Sequence, residues 1–168
     1  MILETARLRL RELAPTDLDF VAEMLAHPEV MRFYPKRYAR DEAAEWLDRQ
    51  RARYRRDGHG LWLVEDRAGL TPIGQIGLVL QTVGGEALPE IGYLVHRPYW
   101  RRGYASEAAR GVRDHAFAAF RYPRVISLVR PENAPSQGVA RTLGMRPTTQ
   151  TMHGGFVHDV WSVARSAP

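Results

Sequence analysis

Apolar and basic residues alternate through the segment 6–13 (ARLRLREL), the period of two that a strand with one buried face requires. Pro15, Thr16 and Asp17 then open a helix that carries Leu18, Val21, Ala22 and Leu25 along one side. It ends at His27, because the residue before a proline avoids helical backbone angles. The spacing of Ala43, Leu47, Gln50 and Tyr54 predicts a second helix from Asp41 to Asp57, stopped by Gly58. Three apolar runs, at 61–66, 72–81 and 89–96, predict strands, with turns at Ala68–Gly69 and Gly84–Gly85. A helix over 104–120 follows, with Ala105, Ala108, Val112, Ala116 and Phe120 on its inner stripe. The β-rich run 124–129 reads as a central strand, and 136–143 as a short helix closed by Gly144. Segments 148–152 and 156–164 form two last strands hinged on Gly154–Gly155. Trp46, Trp62 and Trp161 read as core residues. Neither a repeat nor a linker interrupts this order, so residues 1–168 are expected to form one mixed α/β (α+β) domain around a single sheet.

Composition narrows the chemistry. The 168 residues contain no cysteine, which removes disulfides, thiolate metal sites and a cysteine nucleophile. No apolar run approaches the roughly 20 residues that span a bilayer, and no signal-like segment opens the chain, so a soluble cytoplasmic protein without membrane contact is expected. The net charge of +5 comes almost wholly from arginine and favours anionic partners. The basic cluster 49–58 (RQRARYRRDG) could line a nucleic acid, but its arginines fall largely off the apolar side of the second helix, the arrangement of a solvated face. No direct nucleic-acid contact is expected. His27, His59, His115, His153 and His158 show no metal-ligand spacing, so no metal is expected.

The segment 99–108 (YWRRGYASEA) places two arginines and a glycine where a helix begins. A helix N-terminus offers unpaired N–H groups and the positive end of the peptide dipole, a setting that attracts an anion. The equally simple alternative is a tight turn with two solvated arginines. A Walker loop is absent, and the G-x-G-x-x-G dinucleotide pattern fails because Ala105 and Ala108 occupy its second and third glycine positions.

Taken together, these stretches resemble the GNAT acetyltransferases, in particular the RimJ/RimL-like branch that modifies protein N-termini and small amines. Residues 3–34 are similar to that branch's opening strand and helix, 72–78 (PIGQIGL) and 90–108 to its central hairpin and acetyl-CoA loop, 130–145 to its asparagine loop and following helix, and 157–164 to its last strand. The resemblance implies the GNAT fold, a mainly antiparallel twisted sheet with helices on both faces. It further implies that Tyr93, Leu94 and Val95 line the pantetheine arm, that the Val95 N–H polarises the thioester carbonyl, and that Arg101, Arg102, Gly103, Tyr104, Ala105 and Ser106 bind the pyrophosphate. Asn133 matches the asparagine that contacts pantetheine. The chain departs from the pattern at Arg101, where this branch usually has glycine after the tryptophan, and at Ala140, where many relatives have a tyrosine that protonates the leaving thiolate.

Amine acetylation needs a positioned amine, a base, an oxyanion donor and a proton for the thiolate. The resemblance makes Glu90 the first candidate for the base, against the plainer reading of a solvated strand-end charge, and leaves His96 a structural residue. Ser136 stands where the branch is proposed to have its acid, and could equally cap the helix it begins. Phe33, Tyr34 and Tyr38 border the acceptor cleft in such a fold, and Asp159 beside His158 matches a structural dipeptide. The expected activity is acetyl-CoA-dependent N-acetylation of a primary amine, with a ribosomal-protein substrate and a homodimer left open. A non-catalytic acyl-CoA sensor or an RNA- or ribosome-associated binding module is the rival reading.

Overall fold

The computed structural model describes residues 1–166. Strands β1 (Leu3–Glu4) and β2 (Leu8–Arg11) precede a single 3-10 turn at Pro15–Asp17 and helix α1 (Leu18–Ala26). Helix α2 (Arg40–Asp57) is followed by β3 (Leu61–Asp66), β4 (Pro72–Val83) and β5 (Glu86–Val95), then a 3-10 turn at Arg97–Tyr99. Helix α3 (Tyr104–Ala118), β6 (Arg124–Val129), α4 (Ala134–Thr142), β7 (Arg146–His153) and β8 (Phe156–Ala164) complete the order. The eight strands form one sheet in the order β1-β2-β3-β4-β5-β6-β8-β7, antiparallel at every step except β5–β6.

Each helix buries the stripe its spacing dictates. Val21, Met24 and Leu25 of α1, Ala43, Leu47, Gln50 and Tyr54 of α2, and Ala108, Ala109, Val112 and Ala116 of α3 are all buried. Ala105 and Phe120, expected on the α3 stripe, are only half-buried. Ala105 lies in the open first turn, and Phe120 lies beyond the helix end, where its ring meets His59 edge-on at 4.9 Å. Trp62 and Trp161 are buried, whereas Trp46 is half-buried. Full burial of Leu8, Leu10, Leu63, Ile76 and Ile91 contributes about 1.5–3 kcal/mol per side chain before entropy is charged against it.

The register fixes which helix covers which face. Gln75, opposite Leu94, accepts from the Trp46 indole of α2 at 2.9 Å, while Tyr93, one position on, donates its hydroxyl to the Ser136 carbonyl of α4 at 2.7 Å. Neighbouring strand residues point to opposite faces, so α2 and its partner α1 lie on one side and α4, against which α3 packs, on the other. No helix of the described residues is long and apolar enough to cross a membrane.

A buried histidine ties the edges of this core together. His59 is fully buried between α2 and β3; its Nδ1–H donates to the Leu78 carbonyl (3.0 Å), leaving Nε2 to accept from the Tyr122 hydroxyl (2.7 Å). Burial lowers the pKa of His59, and of His115, because desolvation disfavours the charged ring. The unfolded chain therefore binds protons that the folded chain resists. Their contribution is complete above about pH 6.5 and is lost as pH falls through the depressed folded values. The urea midpoint is expected to drop between pH 7.5 and pH 5, with a shallower slope in His59→Gln. A midpoint that stays level over that interval would show that the ring is not held neutral.

Candidate active site

The sheet opens between β5 and β6. The two strands share one bridge, Glu90 with Ile126, and part beyond it. At the point of separation the Ser127 hydroxyl donates to the Ile91 carbonyl at 2.9 Å, the acceptor that the next β6 amide would meet in a continued ladder. That amide, Leu128 N–H, turns to Glu90 Oε1 at 3.4 Å. Further along β5, His96 N–H bonds the Ile73 carbonyl at 2.9 Å, so even-numbered residues direct their main chain at β4. Tyr93 and Val95 consequently turn theirs into the gap. The Val95 carbonyl is taken by the Trp100 indole N–H at 2.7 Å, while the Val95 N–H meets no acceptor among the described residues. Gly74 keeps this end of β5 close to β4, since a Cβ there would lie 2.3 Å from the Leu94 carbonyl oxygen.

The gap leads to the start of α3. Gly103 is the N-cap, at φ +76°, and no side chain caps the helix. Arg101 is also left-handed, at φ +60°, which accounts for glycine being usual there in the branch this loop resembles and means that an arginine is held in a sparsely populated conformation. The amides of residues 101–106 donate to no protein atom among the described residues. Six N–H groups thus stand unpaired at the positive end of a 15-residue helix, a setting suited to an anion, with Arg101 and Arg102 exposed beside them.

Elements distant in sequence hold this helix start in place. Arg7 donates to Glu107 Oε2 (2.6 Å) and to the Arg102 carbonyl (2.9 Å), and its guanidinium lies 4.6 Å from the Tyr104 ring centre. Thr5 Oγ1 and the Arg7 N–H also reach Glu107 Oε1, at 2.6 and 2.8 Å. Burial opposes ionisation of Glu107, but these bonds outweigh it and hold the carboxyl below its ordinary range.

Glu90 lies within β5 and is half-buried; the solvated strand-end alternative does not hold. Gln81 Nε2 donates to its Oε2 at 2.8 Å. Burial raises its pKa, only partly offset by Gln81, Leu128 N–H, and the positive potential of His158 and Arg53. A carboxyl moved towards neutrality is suited to accept a proton at working pH. Along the same face, Tyr38 packs edge-on against Trp46 at 5.5 Å, and Tyr34 lies within electrostatic range of Glu90. Phe33 contributes its carbonyl to Arg130 (3.4 Å), whose guanidinium stacks 4.0 Å from Phe156 of the β7–β8 hairpin. The three aromatic residues expected around the acceptor thus take three different positions.

Helix α4 begins two residues earlier than its pattern indicates, and its cap is Asn133, whose Oδ1 accepts the Ser136 N–H at 3.2 Å. The reading of Ser136 as the cap is therefore wrong: Ser136 is the third helical residue and supplies the N–H that is capped. An asparagine followed within two residues by proline signals this start, Pro135 falling where a helix needs no donor. Asn133→Ala is expected to cost about 1 kcal/mol of stability, whereas Ser136→Ala leaves the thermal midpoint unchanged within error. Denaturation of both variants tests the distinction.

Other features take structural places. His96 is buried, with Nε2 3.1 Å from Glu23 Oε1. Asp159 accepts from Gln150 (2.9 Å), while His158 donates to the Phe156 carbonyl (3.0 Å). The basic face of α2 is interleaved with carboxylates, Arg49 with Glu45, Arg51 with Asp48 and Arg56 with Asp57, which weakens it as a nucleic-acid stripe. No cluster of three or more His, Asp or Glu able to hold a metal occurs among the described residues. Sequence patterning missed Ser127 and Gln81, because their roles depend on which strand each side chain faces.

A sheet that splits beside a run of unpaired amides at a helix start is compatible with a coenzyme-dependent acyltransferase. Residues 7–146 match the family model for the acetyltransferase (GNAT) domain. The uncharacterized protein YkkB of Bacillus subtilis (strain 168) is 33% identical over 144 residues, 85% of this chain and 84% of that one. Among solved structures, an acetyltransferase from Agrobacterium tumefaciens str. C58 superposes with a TM-score of 0.82 at 28% identity, covering 97% of this chain and 94% of that one. RimL, a ribosomal L7/L12 alpha-N-protein acetyltransferase in complex with coenzyme A, superposes with a TM-score of 0.76 at 16% identity, over 98% and 96% of the two chains. The protein belongs to the GNAT acetyltransferase family and is an acyltransferase.

Proposed function

We propose that the protein transfers the acetyl group of acetyl-CoA to a primary amine by direct attack in a ternary complex. The observation that carries this reading is the run of unpaired amides from Arg101 to Ser106, standing beyond the end of the strand whose neighbour has departed. These amides, with Arg101 and Arg102, would hold the pyrophosphate, and the open edge of Tyr93, Leu94 and Val95 would hold the pantetheine arm, with Asn133 across the gap. The acetyl-CoA thioester supplies the activated acyl carbon.

The chain's own groups supply the remaining chemistry. The Val95 N–H donates to the carbonyl oxygen as it gains charge, and such donors are typically worth about 2.7–4 kcal/mol. The amine forms the C–N bond as the C–S bond breaks. Five residues of strand separate Glu90 from Val95, about 16 Å at roughly 3.3 Å per residue, which exceeds the reach of a glutamate side chain. Glu90 therefore takes the amine proton through water. Ser136 Oγ, on the α4 side of the gap, supplies the proton for the departing thiolate. The chain has no cysteine to carry an acyl intermediate.

Phe33, Tyr34 and Tyr38 border the acceptor side. The likeness to RimL keeps a protein α-amino group among the acceptors, beside small amines. Thiol release from acetyl-CoA, followed with a chromogenic thiol reagent over a panel of amines and peptides, should rise with at least one acceptor. Coenzyme binding without turnover on any acceptor would favour a sensor instead.

A further inference from the structure

Arg53 of α2 is the anomaly on the acceptor face. Six other arginines are similarly half-buried, Arg9, Arg11, Arg51, Arg113, Arg124 and Arg130, and each has a carboxylate within 4.0 Å. Arg53 has none among the described residues; its Nη1 donates to Gln50 Oε1 at 3.1 Å and its remaining donors are unassigned. Burial lowers its pKa, and the neighbouring cations Arg56 and Arg49 lower it further, against weaker support from Glu90 and Asp57. A guanidinium partly withdrawn from water with no carboxylate in contact retains donors that an anion could take.

The missing partner's position follows from the register. Arg53 Cβ lies against Gly60, 3.3 Å from where a Cβ on that glycine would be. Gln50 Oε1, which orients the guanidinium, also accepts the Leu61 N–H at 3.2 Å. Leu61 pairs with Gly77, Gly77 pairs with Gly92, and the Leu61 side chain reaches over Gly92. Arg53 therefore overlooks the stretch of β5 between Glu90 and Leu94, on the same face as the Glu90 carboxyl. Two strand spacings, about 10 Å, separate its strand level from β5. On that face Gly92 adds no side chain of its own and is covered by Leu61, with Glu90 and Leu94 flanking it.

We infer that Arg53 receives an anionic group on the acceptor, so that the preferred substrates are amines that also carry a carboxylate. This rests on the transferase reading for the fate of the amine, but the binding it predicts is separable from transfer. With the amine directed towards Val95 and the carboxylate on Arg53, the two ends of one small molecule are fixed, and charge opposition excludes a second basic group at the Arg53 end. A guanidinium takes both oxygens of a carboxylate in parallel, a geometry no amide offers.

Titration calorimetry in the presence of unacetylated coenzyme A, where nothing can be transferred, tests this with paired probes. The probes are α- and ω-amino acids of two to six carbons, each beside its own carboxamide. At least one free acid should bind tenfold or more tightly than its amide, and Arg53→Gln should erase that difference without changing coenzyme A affinity. Arg53→Lys should restore it in part. Equal binding of acid and amide, binding of neither, or an acid preference that persists in Arg53→Gln would overturn the inference. Because the acid–amide comparison is made first on the wild-type protein, it does not depend on a variant's folding. Acid-selective binding without acetyl transfer to the same probes would contradict the transferase reading and leave the anion site standing.

Discussion

Gly103→Asp is expected to weaken acetyl-CoA binding by about 100-fold or more. Two charge-assisted bonds at roughly 1.5 kcal/mol each amount to about 3 kcal/mol, and 1.4 kcal/mol is a factor of ten. Aspartate removes at least that much, because its carboxylate would lie inside the cradle formed by residues 101–106. A Cβ at this position would be 3.5 Å from Arg7 Nη2, so the new carboxylate would also compete with Glu107 for the guanidinium that steadies the loop. The φ of +76° adds strain for any residue with a side chain. Gly85→Asp is the matched control: Gly85 has φ +82° and an open surrounding, at the β4–β5 turn. The control should share the strain and keep the affinity. Calorimetric titration of both variants decides the matter, and equal affinities would remove the diphosphate from the start of α3.

Glu90→Gln is expected to lower kcat/KM by about 100-fold, at the lower end of what a positioned base contributes, with coenzyme affinity unchanged. The amide oxygen can keep the Leu128 bond, and a flipped Gln81 side chain can accept from the new NH2, so the fold should survive the exchange. The pH profile is the sharper measurement. Burial raises the Glu90 pKa, so wild-type activity should climb with pH through that raised value as the carboxylate forms. The variant should lose this limb and retain only the ionisation of the amine itself. A profile and rate matching wild type would exclude Glu90 from the proton path.

Much of this architecture could be read from residue order. The turns at Gly84–Gly85 and Gly154–Gly155, the strand 156–164 and the buried residues of α2 were legible because period, length and glycine placement agree locally. The start of α4 was misread because serine and asparagine both cap helices, and the proline at 135 settles the choice only once its position is weighed. The two-residue strand β1 carries too little pattern to be seen. The candidate site was legible in part. Glycine and arginine at 101–103 point to an anion, but the split of the sheet and the Ser127 hydroxyl bond to Ile91 beside it join residues 36 positions apart in sequence. Arg53 was hidden for a similar reason. In a run of arginines it resembles its neighbours, and only the three-dimensional pairing of the others leaves it without a carboxylate.

The Arg7 contacts have a consequence for how tightly a nucleotide-bearing ligand can be held. Glu107 would otherwise present a bare negative charge to an incoming diphosphate in the first turn of α3; Arg7 neutralises it beforehand and anchors the Arg102 carbonyl in the same stroke. The loop is thereby ordered in advance, so less free energy is forfeited to freezing it when the ligand arrives. On the proposed placement of the diphosphate, coenzyme affinity should depend on the β1–β2 turn as well, some 95 residues upstream of the loop it braces.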